Sequence, residues 1–220
     1  MKNSAAMRGD RGPQVLIAVM ASSGMAILLC ILFFLLREGI PLLRSVSLLD
    51  VLGGRFWYPT YEPPEFGMLP LVVGSLTVTL LASLMAVPVS LGAAIFLSEI
   101  CPRGFREFFK PVLEVLGFFP SVVLGFLGMV VLAPWLQEHL DLLSGLNMFN
   151  ASLLMGVMIV PVVASLGEDS LAAVPRDLRD ASYALGATTT ETIFRVVVPA
   201  ALPGILQGVL LGIMRAIGET

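Results

Sequence analysis

Two charges sit where charges are expensive. Arg215 and Glu219 lie four residues apart in the last apolar segment of the chain, Val196–Thr220. That spacing puts them on one face of a helix. A charge at mid-membrane costs about 2.5–3.5 kcal/mol on insertion scales, so such residues are expected to face a cavity and to pair. Arginine offers a planar fork that donates two parallel hydrogen bonds, which fits an oxyanion. The same two residues would also serve as a structural ion pair, or as a helix end reaching for the interface.

Little else in the chain could do chemistry. His139 is the one histidine, and Cys30 and Cys101 form no CxxC pair, so no metal is expected. The only lysines are Lys2 and Lys110, and no GxxxxGK[ST] occurs. No P-loop nucleotide site is therefore expected, nor any cofactor. The net charge of −3 is spread out, with no basic patch interleaved with aromatics, which argues against nucleic acid. Of the 220 residues, 57% are hydrophobic and 13% charged. A soluble domain carries about 25% charged residues. With a mean hydropathy of +0.93, the chain is an integral membrane protein of several spans.

The elements that must position Arg215 and Glu219 follow from the apolar runs. Residues 1–13 are polar and basic. Val15–Leu36 runs 22 residues without a charge, enough for a first span. A signal peptide is the alternative, but the run exceeds the usual core of about 7–15 residues and no small-x-small site follows. Arg37–Met68 is an external loop, rich in Gly and Pro, whose Trp57, Tyr58 and Tyr61 suit a membrane interface. Leu69–Leu97 is a second span, in which Pro88 should produce a kink. Its Ser75, Thr77, Thr79, Ser83 and Ser90 either pack helices closely or line a pathway.

Ser98–Pro111 is a short basic loop. Val112–Pro134 is a third span, irregular around Phe119-Pro120, and Trp135–Asn150 is a second external loop. Ala151–Leu166 is a fourth span interrupted by Pro161, and Val196–Thr220 a fifth, broken early by Pro199 and Pro203. The organisation expected is an N-terminal part, 1–68, and a transmembrane domain, 69–220. Nine of the 13 Lys and Arg residues fall on one side, in the N-terminus, in 98–111 and in the polar interval from Glu168 to Arg195. The external loops hold three. Positive residues favour the cytoplasm, so the N-terminus and the 168–195 loop are expected there.

That interval carries helix signals. Pro175 suits a helix start, with Asp177 and Asp180 placed in the first turn to oppose the dipole. Leu178, Ala181 and Leu185 recur at spacings of three and four. Gly186 ends the helix, and Thr188-Thr189-Thr190-Glu191 offers a cap and a restart. Two short helices are expected.

Here the sequence resembles the permeases of ABC importers, whose cytoplasmic signature is EAA, three residues, Gly, nine residues, then Ile-x-Leu-Pro. This chain has Asp180-Ala181-Ser182, then Gly186, then Val196-Val197-Val198-Pro199, with the spacing intact. Asp replaces Glu, Ser replaces the second Ala, and Val replaces Ile and Leu. The runs FGMLPLVVGSLTVTLLASLMAVPVSLGAAIFLSE, GFFPSVVLGFLG and RAIGET resemble the phosphate branch of that family. The loop before FGMLPL is similar to the PstC-like rather than the PstA-like subunit.

The resemblance implies an all-α, polytopic type I importer permease fold with about five spans plus cytoplasmic coupling helices, in a bacterial plasma (inner) membrane. It implies that Asp180, Ala181, Ser182 and Gly186 belong to a coupling helix that docks in a groove of an ATPase subunit. It implies that Arg215 faces the path and attracts phosphate, while Glu219 holds Arg215 or limits the grip on the anion. Two ABC ATPase subunits, a second homologous permease, a periplasmic or surface phosphate-binding protein and membrane lipid are the partners implied. ATP hydrolysis falls to the ATPases, and this chain is expected to be no enzyme. A permease for molybdate or sulfate, the PstA-like sibling, a membrane enzyme and a membrane scaffold are the rival readings. Family members continue beyond RAIGET, so a truncated final span is expected at Thr220.

Overall fold

The computed structural model describes residues 11–41 and 46–220. The basic tail up to Asp10, with Lys2 and Arg8, and Arg44 of the external loop lie outside the described residues. The described residues fall into two compact units, one up to Pro70 and one from Leu71 to Thr220. Among them, five helices are long and apolar enough to cross a membrane.

In the first unit, α1 (Arg11–Gly39) is apolar all round, and its side chains are exposed on every face. A helix of that composition finds its solvent in lipid. The loop after it is ordered by a short helix, α2 (Leu48–Gly53), and by a two-stranded antiparallel hairpin. In that hairpin β1 (Trp57–Tyr58) pairs with β2 (Glu65–Phe66), Trp57 opposite Phe66. Phe56, Tyr58 and Tyr61 stack along one side of the turn.

The second unit is built around one helix. α3 (Leu69–Ile95) is uninterrupted through Pro88 and ends in a π turn, Phe96–Ile100. α4 (Arg103–Gly117) follows, then α5 (Ser121–Leu127), a π turn (Gly128–Leu132) and α6 (Ala133–Leu140). α7 (Met148–Ala172) is the hub. The signature region forms α8 (Arg176–Ala184) and α9 (Thr189–Thr192), and a third π turn (Ile193–Val197) leads into α10 (Val198–Glu219).

α7 buries small residues on two sides. Toward α3, Gly156 meets Ala82 and Ala86, and Gly167 meets Ala94. Toward α10, a stripe of Gly204, Gly208 and Gly212 lies against Ser170, Leu166 and Val163. A Cβ added at Gly212 would stand 2.6 Å from Val163 Cγ2. Lipid offers no hydrophobic drive between helices, so backbones that approach this closely gain their attraction from dispersion. The hydroxyls of the spans bond mainly to their own helices: Ser90 donates to Ala86 O at 2.6 Å and Thr77 to Val73 O at 2.7 Å.

Several boundaries differ from those the sequence predicts. The stretch 98–111 is no loop. It is the π turn plus the first half of α4, and the third apolar segment is divided at Phe118–Pro120. Pro120 disfavours helix at Phe119 and supplies no N–H, so the break falls where the Phe-Pro pair places it. α7 extends to Ala172, and Pro161 lies buried inside it without interrupting it. Glu168 and Asp169 are therefore the last turns of a span, not the start of a polar connector. Nor do Pro199 and Pro203 break the fifth span: α10 runs through both, and the π turn Ile193–Val197 leads into it without a break.

Replacing Gly212 with Leu should wedge α10 off α7. Overpacking of this kind costs about 1–3 kcal/mol or more. The expected result is a clear fall in thermal unfolding temperature in detergent. Gly218→Ala, where nothing stands within 4 Å, should leave that temperature unchanged.

Candidate coupling and translocation sites

The coupling hairpin is set by local chemistry at both ends. Pro175 precedes α8 in extended conformation, and Asp177 occupies the first turn. Asp180 does not: it is the fifth helical residue and is exposed, so the dipole argument holds for Asp177 alone. The far end closes with a Schellman arrangement. Gly186 takes φ +82°, its N–H bonds Tyr183 O at 2.9 Å, and Ala187 N–H bonds Ser182 O at 3.3 Å. An L side chain is disfavoured in that conformation, which is why Gly stands there. A reciprocal capping box then restarts the helix, with Thr188 N–H on Glu191 Oε2 and Glu191 N–H on Thr188 Oγ1.

α8 has two unlike faces. Ser182 is buried, and its hydroxyl bonds that of Thr192 at 2.9 Å, tying α8 to α9. On the other side Leu178, Ala181 and Leu185 form the apolar stripe that their spacing predicts, but the stripe is open. Leu185 is 90% exposed. With Gly186, Ala187 and Arg195 it lines an open groove of about 510 Å³. Of the four signature residues, Asp180, Ala181 and Gly186 are exposed and Ser182 is buried.

Arg215 is half-buried on α10 and donates through Nη1 to the carbonyl of Gly117, the last residue of α4 before the break. Glu219, one turn further along, is exposed. The guanidinium is thus engaged by a carbonyl of α4. Ser75 and Thr220 share a hydrogen bond between their hydroxyls.

Two ionic clusters were not found from sequence. In the first, Glu168 of α7 is 1% exposed and is ion-paired by Arg106 and by Lys110 of α4, the latter at 2.8 Å. Lys110 also bonds Asp169. Burial pulls the Lys110 ammonium down, but its bonds to Asp169 and Glu168 outweigh that and hold it above its ordinary value. Arg106, Lys110, Leu113 and Gly117 recur at spacings of four, three and four along α4, and this stripe faces the protein. Phe105 and Phe108 point outward. That periodicity was a usable signal, hidden because the basic residues were counted only as loop charge.

In the second cluster, Arg179 of α8 reaches Glu99 in the π turn after α3, Nη2 to Oε1 at 2.8 Å and Nε to Oε2 at 3.4 Å. It also donates to Leu171 O at 2.9 Å and to Val174 O, at the end of α7. The partners are 80 residues apart in sequence, and no local pattern links them.

The fold is shared with a solved ABC transporter chain. A chain of the MetNI methionine ABC transporter, solved in inward-facing conformations, superposes with a TM-score of 0.58 over 72% of this chain and 74% of its own length, at 21% identity. The sequence is more specific. The chain belongs to the family described as binding-protein-dependent transport system inner membrane component, matched over residues 90–220. It is 38% identical to a probable ABC transporter permease protein, YqgH, of Bacillus subtilis over 81% of its length and 58% of that protein's. It is 33% identical to the phosphate transport system permease protein PstC of Haemophilus influenzae, over 76% of its length and 60% of that protein's. Identity to PstC 2 of Mycobacterium tuberculosis is 30%, over 98% of this chain and 72% of that one. The chain thus spans about three-fifths of the length of the first relatives it matches. It is a multi-pass membrane protein, and several of the relatives it matches are named as phosphate transport system permease protein PstC.

Glu168→Gln should leave Arg106 without its carboxylate and Lys110 with Asp169 alone. Breaking a buried pair costs about 3–5 kcal/mol, and exposure of both cations to water places the expected loss near the low end. Thermal unfolding in detergent reads it. Gly186→Val, which must hold a β-branched residue at positive φ, should loosen the α8–α9 corner, seen as faster limited proteolysis there.

Proposed function

We propose that this chain is the membrane-spanning permease subunit of an ATP-driven importer of inorganic phosphate. The observation that carries the reading is the open apolar stripe of Leu178, Ala181 and Leu185 on a helix otherwise anchored to the spans. An unpartnered apolar face beside a rigid anchor is a seat for another protein, and the signature that contains it is the family's docking segment for an ATPase. Two ATPase subunits, a second related permease and an external phosphate-binding protein complete the assembly. The excess of Lys and Arg on that side supports a cytoplasmic coupling loop in a bacterial plasma membrane. No bond-making is asked of this chain: alternating access suffices, and the energy comes from the ATPases.

Phosphate as cargo is supported by the relatives that are named phosphate permeases and by Arg215. The half-buried guanidinium is engaged by one neutral carbonyl, Gly117 O. A doubly charged oxyanion entering beside α10 would compete well for that fork, since charge-assisted bonds are about twice as strong as neutral ones. Glu219, close by on the same helix, would temper the attraction and let the anion leave. In the reconstituted complex, Arg215→Gln should lower labelled phosphate uptake at least about tenfold, as expected for loss of a charge-assisted contact. Glu219→Gln should change it less. Uptake unchanged at normal expression would remove Arg215 from the path. Competition by molybdate or sulfate stronger than by phosphate would replace phosphate with another oxyanion.

A further inference from the structure

Arg179 is placed to do more than stabilise the coupling hairpin. It stands on the face of α8 opposite the open apolar stripe, and its guanidinium reaches three separate elements. Two of its nitrogens bond the carboxylate of Glu99, in the π turn that ends α3. Two bond the carbonyls of Leu171, in the last turn of α7, and Val174, in the link to α8. Glu99 is held in turn by Ser98 Oγ, at 3.0 Å from Oε1. Both ends of the pair are largely buried, the side chains being 17% and 11% exposed. Water and salt therefore screen this contact less than a surface pair. The only other side-chain tie from α8 among the described residues is the neutral Ser182–Thr192 bond.

The planar fork matters. An ammonium has three donors on a rotating head, too few for the four bonds made here, whereas a guanidinium supplies them with its geometry already set. We propose that Arg179 is the positioning residue that makes α8, the end of α3 and the end of α7 move as one body. A push on the open face of α8 is then delivered to two spans at once, the hub helix and its neighbour. This rests on the transport reading above. The π turn that carries Glu99 fits the same role, since such turns gather at functional sites in helices.

The test uses the whole importer in proteoliposomes, with phosphate uptake and ATP hydrolysis measured together. Glu99→Gln and Arg179→Lys should still assemble with the ATPase and hydrolyse ATP. Phosphate moved per ATP should fall at least about fivefold, the low end of site-to-site coupling. Glu99→Asp, which keeps the charge, should recover part of the loss. A second readout needs no cargo. In a background without Cys30 and Cys101, a cysteine at Leu71, 47% exposed in the first turn of α3 at the membrane boundary, is labelled with a water-soluble thiol reagent with and without ATP. ATP should change its labelling in the parent and not in Glu99→Gln. The same ATP response in both, an unchanged uptake-to-hydrolysis ratio, or uptake lost only in step with loss of the ATPase from the complex would each overturn the role given to Arg179. A parent complex that takes up no phosphate counts against the transport reading alone, because the labelling experiment still reads Arg179.

Discussion

A carbonyl left over at a helix end, inside a bilayer or buried in protein, has no water to turn to. That constraint governs the second unit of this protein. Its helices break at Phe118–Pro120 and after Ala172 and widen into a π turn at Gly128–Leu132, and each irregularity is met by a side chain from elsewhere. Arg215 takes Gly117 O, Asn150 takes Gly128 O and Gly145 O, and Arg179 takes Leu171 O and Val174 O. Irregular backbone at membrane depth survives only where protein supplies such partners. The breaks are therefore the points at which distant segments are stitched together.

The stitches converge on α7. Small residues let α3 and α10 approach its backbone from two directions, and Glu168 draws α4 against it with two cations. A helix gripped this way on three sides carries little freedom of its own. Movement of the hairpin α8–α9 must either be absorbed at Gly186 or be passed on through its buried contacts. The capping box and the Schellman closure stiffen the corner and leave the second course.

Much of this was legible in the sequence where one segment determines its own state. The apolar runs, the break at Phe119-Pro120, the stop at Gly186 and the restart at Thr188 all depend on residues within a few positions of one another. The extent of α7 was not legible, because Glu168 and Asp169 look like solvent residues until Arg106 and Lys110 are brought beside them. Asp180 was placed one turn too early for the same local reason: a carboxylate near a helix start is common, and only the observed boundary assigns it. Arg179 and Glu99 were invisible as a pair, since each alone reads as ordinary surface charge. Arg215 and Glu219 stood out by the cost of burying charge. The carbonyl that Arg215 meets could not be named without the fold.

α4 wears its polarity inside out, with aromatic rings outward and cations inward against Glu168. The chain is made in one direction, and Lys110 precedes its carboxylate Asp169 by 59 residues. At a synthesis rate of about 5–20 residues per second, the two cations exist for about 3–12 s before their counter-charges do. During that interval α4 has no reason to leave the headgroup region, where water and lipid phosphates can solvate it. Its seat against α7 is a late event, opened only when the hub helix arrives, so the order of the sequence is also an order of assembly.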